Sequence, residues 1–320
     1  MFCYSLSTSK NSTNLGKKQL LVVWRLVDGK AGHEAQTEGL VQALRYLCDI
    51  ECHDIRVPLR REMLGDWIRG RCRFGVGLPD PQILLGAGQQ THLGLMAARR
   101  ARGGKAIVLM RPSLPLCWFD LCLIPAHDAL SERDNVIMTQ GVLNPIQQAK
   151  SASLSQGLIM IGGPSAHYHW DTETILGQIK TVAEESNEVQ WTLTTSRRTP
   201  PETETALLDL EIPNLQVVPV GITASGWVRE KLQNCGLVWV SEDSVSMIYE
   251  GLTSGARVGI LKVPVKGKAS RVTRGVQALI EAGQVISFTE PLPDLVEQHA
   301  SDAFNEAERC AEIILEKSIT

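Results

Sequence analysis

Residues 236–260 join an apolar run to a polar turn and then to a helical pattern. The apolar run is 237–240, the turn 241–244 reads Ser-Glu-Asp-Ser, and the helical pattern stops at Gly255. This order predicts a strand, a turn and a helix that begins near Ser244. The start of a helix presents unpaired backbone N–H groups, which suit a phosphate. An ordinary capped helix fits the same pattern.

A carboxylate shares the face of this helix that contains the predicted anion site. Glu250 is seven residues after Asp243, which is about two helical turns. Ser244 and Ser246 add hydroxyl groups at the first turn. Such a site can hold a nucleotide-diphosphate sugar, with the pyrophosphate at the helix start and the ribose hydroxyls at the acid. A glutamate that only faces solvent is the alternative.

A second polar turn, near the beginning of the chain, contains a histidine. A predicted strand at 20–27 leads into the sequence Asp-Gly-Lys-Ala-Gly-His, which ends at His33. The glycines permit a tight turn and close approach of a substrate to the backbone. An imidazole at this position could accept a proton from a hydroxyl group near pH 7, although a tight turn with a capping polar residue also explains the pattern. The predicted substrate-side loop consists of Asp28, Gly29, Gly32 and Gln36.

Two further histidines follow predicted strands of the first half. His92 comes after a glycine turn, and on its own it is weak evidence for a functional site. His127 and Asp128 follow the predicted strand 120–124 and form a candidate acid/base or substrate-hydroxyl pair. A histidine with only a structural role fits these positions equally well.

Polar residues also follow the first two predicted strands of the second half. Gly163 and Ser165 follow one strand, and Ser196, Arg197 and Arg198 follow the next. The forked guanidinium group suits phosphate oxygens, so these five residues are predicted to bind the nucleotide phosphates. The basic loop 262–271 also lies near them in sequence, and solvated lysines explain most of it.

Composition limits the possible functions. The 320 residues are 43% hydrophobic and 21% charged, with a net charge of −3 and a pI near 6.2, which argues against a general nucleic-acid binder. No apolar stretch approaches the roughly 20 residues that span a bilayer, and peripheral membrane association stays open. The eight cysteines have no zinc spacing and are expected to be reduced thiols, which favours the cytoplasm. Residues 1–19 are expected to be a disordered tail.

Short β-rich runs alternate with helical patterns after that tail. This alternation predicts an α/β protein with two doubly wound, Rossmann-like domains that face a cleft. The predicted domains are 20–150, on the acceptor side, and 151–320, on the nucleotide-sugar side, joined by a polar, proline-broken linker at 142–156. A last helix is expected at 294–317, where it could pack back toward the first domain.

Several common motifs are missing from the sequence. The phosphate-binding Gly-x-x-x-x-Gly-Lys-[Ser/Thr] and the hydrolase elbow Gly-x-Ser-x-Gly do not occur. No Asp-x-Asp metal motif follows a predicted strand, so any transfer reaction is expected to proceed without a metal ion. No cofactor is expected, because the nucleotide sugar would be the donor substrate.

The chain resembles the mitochondrial-fission family named for the plant elongated-mitochondria factor. The resemblance rests on the pattern W-x-x-x-D-G-x-x-G-H-x-x-Q-x-x-G-L from Trp24 to Leu40, and on 86–93, 119–128, 162–165, 196–200 and 243–250. It implies an alternative function, a recruitment scaffold in which catalysis is lost. Similar bacterial proteins have been labelled nucleoside-diphosphate-sugar epimerases, but this chain lacks the Tyr-x-x-x-Lys pair and the glycine turn of those enzymes.

A more distant resemblance is to GT-B glycosyltransferases. It implies that His33 is the catalytic base, that Ser244 and Ser246 contact the phosphates or the sugar, and that Glu250 binds the ribose. The chain departs from that pattern at Asp243, since a fixed negative charge beside a pyrophosphate is unfavourable. The resulting prediction is a nucleotide-diphosphate-sugar-binding protein and metal-independent glycosyltransferase, whose acceptor the sequence does not identify.

Overall fold

The computed structural model describes residues 20–126, 133–268, 270–297 and 304–319. Its strands form two parallel sheets of six strands each, one from strands that precede residue 140 and one from strands that follow residue 152. The predicted fold class is confirmed: the protein is α/β, with two Rossmann-like units in a GT-B-like arrangement. In the described residues, no helix has both the length and the apolar character needed to cross a membrane.

The first sheet has the strand order β2-β1-β3-β4-β5-β6. Its central strands are buried along their whole length, as expected for a parallel sheet that is covered on both faces. The order reverses direction between β1 and β3, and ligands of such sheets bind beyond the strand ends at this switch point. The elements are β1 (Leu21–Val27), α1 (Ala31–Leu47), β2 (Ile50–Arg56), α2 (Arg60–Arg69), β3 (Ile83–Ala87), α3 (His92–Arg102), β4 (Lys105–Leu109), β5 (Leu121–Pro125) and β6 (Val136–Thr139).

The second sheet has the order β12-β11-β10-β7-β8-β9, so its switch point lies between β7 and β10. Asp171 caps α4 and Ser270 caps α8 through side-chain hydrogen bonds to backbone N–H groups of the first turn. The elements are β7 (Ser153–Met160), α4 (Thr172–Glu185), β8 (Gln190–Thr194), α5 (Pro201–Leu208), β9 (Leu215–Val218), α6 (Trp227–Leu232), β10 (Cys235–Ser241), α7 (Val245–Thr253), β11 (Arg257–Leu261), α8 (Arg271–Glu281), β12 (Ile286–Ser287) and α9 (Glu306–Ile319).

The last helix, α9, follows the second sheet in the chain but packs on the first. Its residues Ala307, Cys310 and Ile314 share one buried core with Leu40 and Leu44 of α1. Helices α1 and α9 therefore cover one face of the first sheet. Helices α2 and α3 pack against each other and cover the opposite face.

The segment that joins the two units is shorter than the predicted linker 142–156, because β7 begins at Ser153. Its Asn144 amide donates hydrogen bonds to Tyr249 O and Thr253 Oγ1 of α7. On its other side it touches α1, where a Cβ atom at Gly39 would lie 2.3 Å from Asn144 O. The helix that contains His33 and the helix that contains Glu250 thus pack on the same connecting segment.

Two helices differ from the sequence expectation. The sequence analysis assigned no element to α2, whose interior Gly65 and three arginines weaken the apolar pattern. The helix predicted at 294–317 begins only at Glu306, and the described residues before it, 294–297 and 304–305, are not helical.

Candidate functional site

The loop between β1 and α1 holds a carboxylate–imidazole pair. Asp28 Oδ2 lies 2.8 Å from His33 Nδ1, and the Asp28 side chain is fully buried. A carboxylate only accepts hydrogen bonds, so Nδ1 of the neutral imidazole donates, and Nε2 is the nitrogen that can accept a proton. Nε2 has no partner among the described residues, and the imidazole is partly exposed. The pair thus has the geometry of a general base held by an orienting carboxylate.

Gly88, in the loop after β3, forms the floor beneath this imidazole. Its φ is +78°, and a Cβ atom there would lie 2.2 Å from the His33 ring. Both observations require glycine at this position. Since β1 and β3 are neighbours on either side of the switch point, the His33 imidazole lies where ligands of this fold class bind.

The rest of the predicted substrate-side loop forms the turn around this pair. Gly29 has a φ of +80°, and its N–H donates to Glu34 Oε1 at 3.0 Å. No atom lies within 4 Å of a Cβ position at Gly32, and the Gln36 amide donates to Gly32 O within the helix. These residues shape an open loop, and only Asp28 contacts the imidazole.

His92 has a structural role in the first unit. It is buried at the start of α3, packs edge-on against Phe119 and contacts Ser113 Oγ through Nδ1 at 3.3 Å. Burial lowers the pKa of His92 to about 4, so the imidazole is neutral at pH 7. The other pair predicted from the sequence, His127 and Asp128, lies outside the described residues.

The second half of the site is the start of α7, at the switch point of the second sheet. Unlike α4 and α8, this helix has no side-chain cap at its N-cap residue, Ser244. Its first backbone bond joins Ile248 N to Ser244 O. In the part of the chain that the structure describes, the N–H groups of Val245, Ser246 and Met247 have no partner. Together with the helix dipole, these groups are suited to an anion.

Asp243 and Arg198 form an ion pair that links two strand ends, with the aspartate buried and the arginine 42% exposed. The Asp243 side chain is fully buried. Its Oδ2 accepts hydrogen bonds from Arg198 Nη2 at 2.8 Å and from Gly163 N at 3.0 Å. Its Oδ1 accepts from Ser241 Oγ at 2.7 Å. The negative charge that the sequence analysis placed beside the phosphates is therefore neutralised. The same bonds occupy Arg198 and the Gly163 N–H, which the sequence analysis assigned to phosphate binding.

Glycine is required where this link is made. A Cβ atom at Gly162 would lie 2.1 Å from Asp243 Oδ2, and one at Gly163 would lie 2.2 Å from Arg198 O. Arg198 also donates to Gly163 O at 2.9 Å. The loops after β7, β8 and β10 are thus held together by direct contacts.

Both predicted serines of this region are bonded to other protein groups, whereas one arginine is free. Ser165 Oγ accepts from the backbone N–H groups of His167 and Tyr168, and Ser196 Oγ donates to Gly162 O at 2.8 Å. Arg197 is exposed and has no bonding partner in the described residues. Of the two arginines predicted to meet an anion, only Arg197 has its guanidinium available.

Glu250 and Arg229 place opposite charges near the second half of the site without a direct bond. Burial raises the pKa of Glu250 to about 7, and the nearby Arg229 charge partly opposes the shift. The Arg229 Nε atom is buried and has no hydrogen-bond partner among the described residues. Buried polar groups are normally paired, so these two side chains are suited to the hydroxyl groups of a ligand.

No group of three or more His, Cys, Asp or Glu side chains in the described ranges is arranged to hold a metal ion. The groups available at the two switch points are instead backbone N–H groups, one free arginine, a shielded glutamate and the Asp28–His33 pair. They make the start of α7 a candidate anion site and His33 a candidate base in an α/β protein with two parallel sheets.

The family model for Mitochondrial fission ELM1 matches residues 31–318 of this sequence. The chain therefore belongs to the mitochondrial fission ELM1 family, as the resemblance predicted. Among curated proteins, no sequence matches it.

Solved structures with the same fold include three proteins described as UDP-N-acetylglucosamine 2-epimerases. A Listeria monocytogenes protein described as a UDP-N-acetylglucosamine 2-epimerase has a TM-score of 0.61 at 13% identity, covering 93% of this chain and 95% of that chain. The UDP-GlcNAc 2-epimerase of Methanocaldococcus jannaschii has 0.55 at 11%, covering 93% and 100%. The Neisseria meningitidis enzyme, solved bound to UDP-GlcNAc, has 0.51 at 12%, covering 94% and 100%. Because the sequence identities are this low, the similarity shows only that the fold is shared.

These comparisons change one argument made from the sequence. The missing Tyr-x-x-x-Lys pair was taken to oppose an epimerase. UDP-GlcNAc 2-epimerases share the fold of this chain. The missing pair is therefore evidence only against epimerases that use a Tyr-x-x-x-Lys pair.

Sequence reasoning missed the partners of the key side chains. It placed Asp28 in the substrate-side loop, but not as the orienting partner of His33. It named neither the Asp243–Arg198 ion pair nor the position of Arg229 near Glu250. A carboxylate five residues before a histidine, across a glycine turn, was the available signal for the first pair.

Proposed function

We propose that the second domain binds a nucleotide-diphosphate sugar and that the chain transfers the sugar to an acceptor hydroxyl without a metal ion. The observation that carries the proposal is the uncapped start of α7 at the switch point of its sheet. Three unpaired N–H groups there can donate to diphosphate oxygens. Helices α1, α2, α3, α5 and α6 also lack a side-chain cap, so α7 is singled out by its place directly after β10, at the switch point of the second sheet.

The charges around this helix start favour an anion. Arg197 is exposed and free to pair with a phosphate, whereas the nearby Asp243 is neutralised by Arg198 at 2.8 Å. The protein itself thus supplies donors and a positive charge for the diphosphate. We expect binding to survive removal of divalent metal ions with EDTA.

Glu250 and Arg229 are the proposed contacts of the ribose. A carboxylate accepts hydrogen bonds from vicinal hydroxyl groups, and a guanidinium donates to their oxygens. Both side chains are shielded from solvent and unbonded to each other, so a ligand between them would satisfy the orphan Arg229 Nε.

His33 is the proposed general base for the transfer. The acceptor oxygen forms a bond to the anomeric carbon of the donor sugar, and the bond from that carbon to the diphosphate oxygen breaks. The nucleoside diphosphate leaves with the electron pair, and the acceptor proton passes to His33 Nε2. The α7 N–H groups and Arg197 offset the charge on the departing diphosphate.

The comparison structures guide the choice of the first ligand. One of them was solved bound to UDP-GlcNAc, so UDP-sugars are the first donors to test, ahead of GDP-, ADP- and CMP-sugars. Titration calorimetry of the folded chain should show saturable binding of at least one nucleotide sugar. Arg197→Ala should weaken it, and His169→Ala, which changes an exposed side chain of the same domain, should not. Absence of binding by every nucleotide sugar would refute the proposal.

Product analysis then separates the possible activities. A transferase releases free nucleoside diphosphate and yields a glycosylated acceptor, which an acceptor screen with labelled sugar detects. An epimerase returns the sugar still attached to its nucleotide with one inverted centre, which proton NMR detects. A recruitment scaffold gives neither product, and its cellular phenotype should tolerate His33→Ala.

A further inference from the structure

The outer face of α2 exposes aliphatic side chains. Met63 and Asp66 face inward, whereas Leu64 is 41% exposed and Ile68, one turn later, is 61% exposed. Leu59, just before the helix, is 58% exposed. This apolar surface is continuous along the helix, because residues four apart lie on the same side.

Arginines surround these aliphatic side chains. Arg60 and Arg61 are exposed in the first turn of α2, and Arg71 is exposed just past its end. Arg100 lies beside Gly70, the residue that ends the helix. None of the four guanidinium groups has a hydrogen-bond or ion-pair partner within the ranges that the structure describes. Glu62 is the one acidic side chain exposed on α2, so the patch is net positive in a chain whose net charge is −3 and does not reflect a generally basic surface.

Two tryptophans border the same face. The Trp67 ring of α2 lies 5.6 Å from the Trp118 ring, measured between centroids, in a tilted arrangement. Both side chains are partly exposed. Tryptophan, aliphatic residues and arginine together on one helix face are the composition of a surface that lies in the interface of a lipid bilayer.

We propose that the α2 face, defined by Leu59, Arg60, Arg61, Leu64, Ile68 and Trp67, docks on an anionic phospholipid bilayer. The arginines meet lipid phosphates, and the aliphatic side chains between them enter the boundary of the acyl chains. The mixture of arginine and aliphatic side chains favours a membrane over a nucleic acid. A phosphate backbone pairs with the arginines but offers no apolar contact to exposed Leu64 and Ile68. The face belongs to the first domain and lies on the side of the sheet opposite α1, so docking leaves the connecting segment uncovered.

Co-sedimentation with vesicles tests the docking face on the full chain. Vesicles of phosphatidylcholine alone are compared with vesicles that contain phosphatidylglycerol, at low and at high salt. Each basic residue near an anionic surface strengthens binding by roughly five-fold, so R60Q/R61Q should weaken the partition coefficient by about 25-fold. L64S/I68S should weaken it by about ten-fold, because each side chain loses part of its apolar transfer energy.

The control variants make the same changes elsewhere. Lys150 is exposed on the connecting segment, Lys180 is exposed on α4, and Leu208 is 55% exposed on α5. K150Q/K180Q and L208S should therefore retain wild-type partitioning. All substituted side chains on the α2 face are exposed, and circular dichroism checks that each variant is folded.

The proposal predicts binding of the wild-type chain that requires the anionic lipid and is lost at high salt. Equal binding to both vesicle types, or an equal loss in the control variants, would overturn it. Binding to an oligonucleotide without binding to vesicles would assign the face to a nucleic acid and overturn it as well. The nucleotide-sugar titration is unaffected by these outcomes, so the two proposals fail independently.

Discussion

Replacing Glu250 with glutamine should stabilise the protein, and by more at high pH than at low pH. Burial raises the pKa of this carboxyl group to about 7, whereas an unfolded glutamate has a pKa near 4.3 to 4.5. An acid whose pKa is raised by folding favours the folded state below the unfolded pKa. That contribution is lost as the pH rises through the folded pKa. Glutamine keeps the neutral form at every pH.

The size of this stability effect follows from the difference of roughly 2.5 between the folded and unfolded pKa of Glu250, since each pKa unit corresponds to 1.36 kcal/mol. Linkage then gives a cost of ionisation of about 0.8 kcal/mol at pH 5 and about 3 kcal/mol at pH 8. The advantage of E250Q in the free energy of unfolding should therefore grow by about 2 to 2.5 kcal/mol between these two pH values.

Urea unfolding, followed by tryptophan fluorescence at pH 5 and pH 8, measures this difference. Glu202 is exposed on α5, so E202Q is the matched control and should show no pH-dependent gain. A gain for E250Q that is equal at the two pH values would contradict the reasoning. In addition, E250Q should weaken binding of uridine, which has a ribose but no phosphate to complicate the titration.

Three further substitutions test the rest of the site. Asp28→Asn should lower turnover by about 10² to 10⁴, because the imidazole loses its orienting carboxylate; UDP affinity should stay within two-fold, and a parallel loss of both would point to misfolding. Gly88→Ala should lower turnover and the urea midpoint, because its Cβ would lie 2.2 Å from the His33 ring. Gly177→Ala on α4, which has open space, should not lower the midpoint. Asp243→Asn should lower the stability by about 1.5 to 3 kcal/mol, because Gly163 N–H and Arg198 lose a charged acceptor. An unchanged midpoint would show that the pair contributes little.

Local patterns in the sequence were sufficient to predict the main elements of the fold. Ile83–Ala87 is a continuous apolar run and forms a fully buried parallel strand. The helix predicted at 244–254 is found at Val245–Thr253, and its uncapped start lies where the polar turn indicated. Hydrophobic periodicity and turn residues act over a few residues, so the sequence alone contains them.

Side-chain pairing could not be predicted in the same way, because it depends on how distant segments meet. Arg198 and Asp243 lie 45 residues apart in sequence and bond only because β8 and β10 flank β7. Their pairing leaves Arg197 as the free arginine and removes the charge conflict expected at Asp243. The roles of His127 and Asp128 remain predictions from the sequence.

The central claim is that the uncapped start of α7 holds a diphosphate, and calorimetric titration of UDP against two variants of Val245 tests it most directly. V245P removes one N–H donor at a position where proline is compatible with a helix, whereas V245A keeps the donor and controls for the lost side chain. A hydrogen bond to a charged group contributes about 1.5 to 3 kcal/mol. V245P should therefore bind UDP about 10- to 150-fold more weakly than V245A, with uridine affinity unchanged. Equal UDP affinities in the two folded variants would contradict the claim.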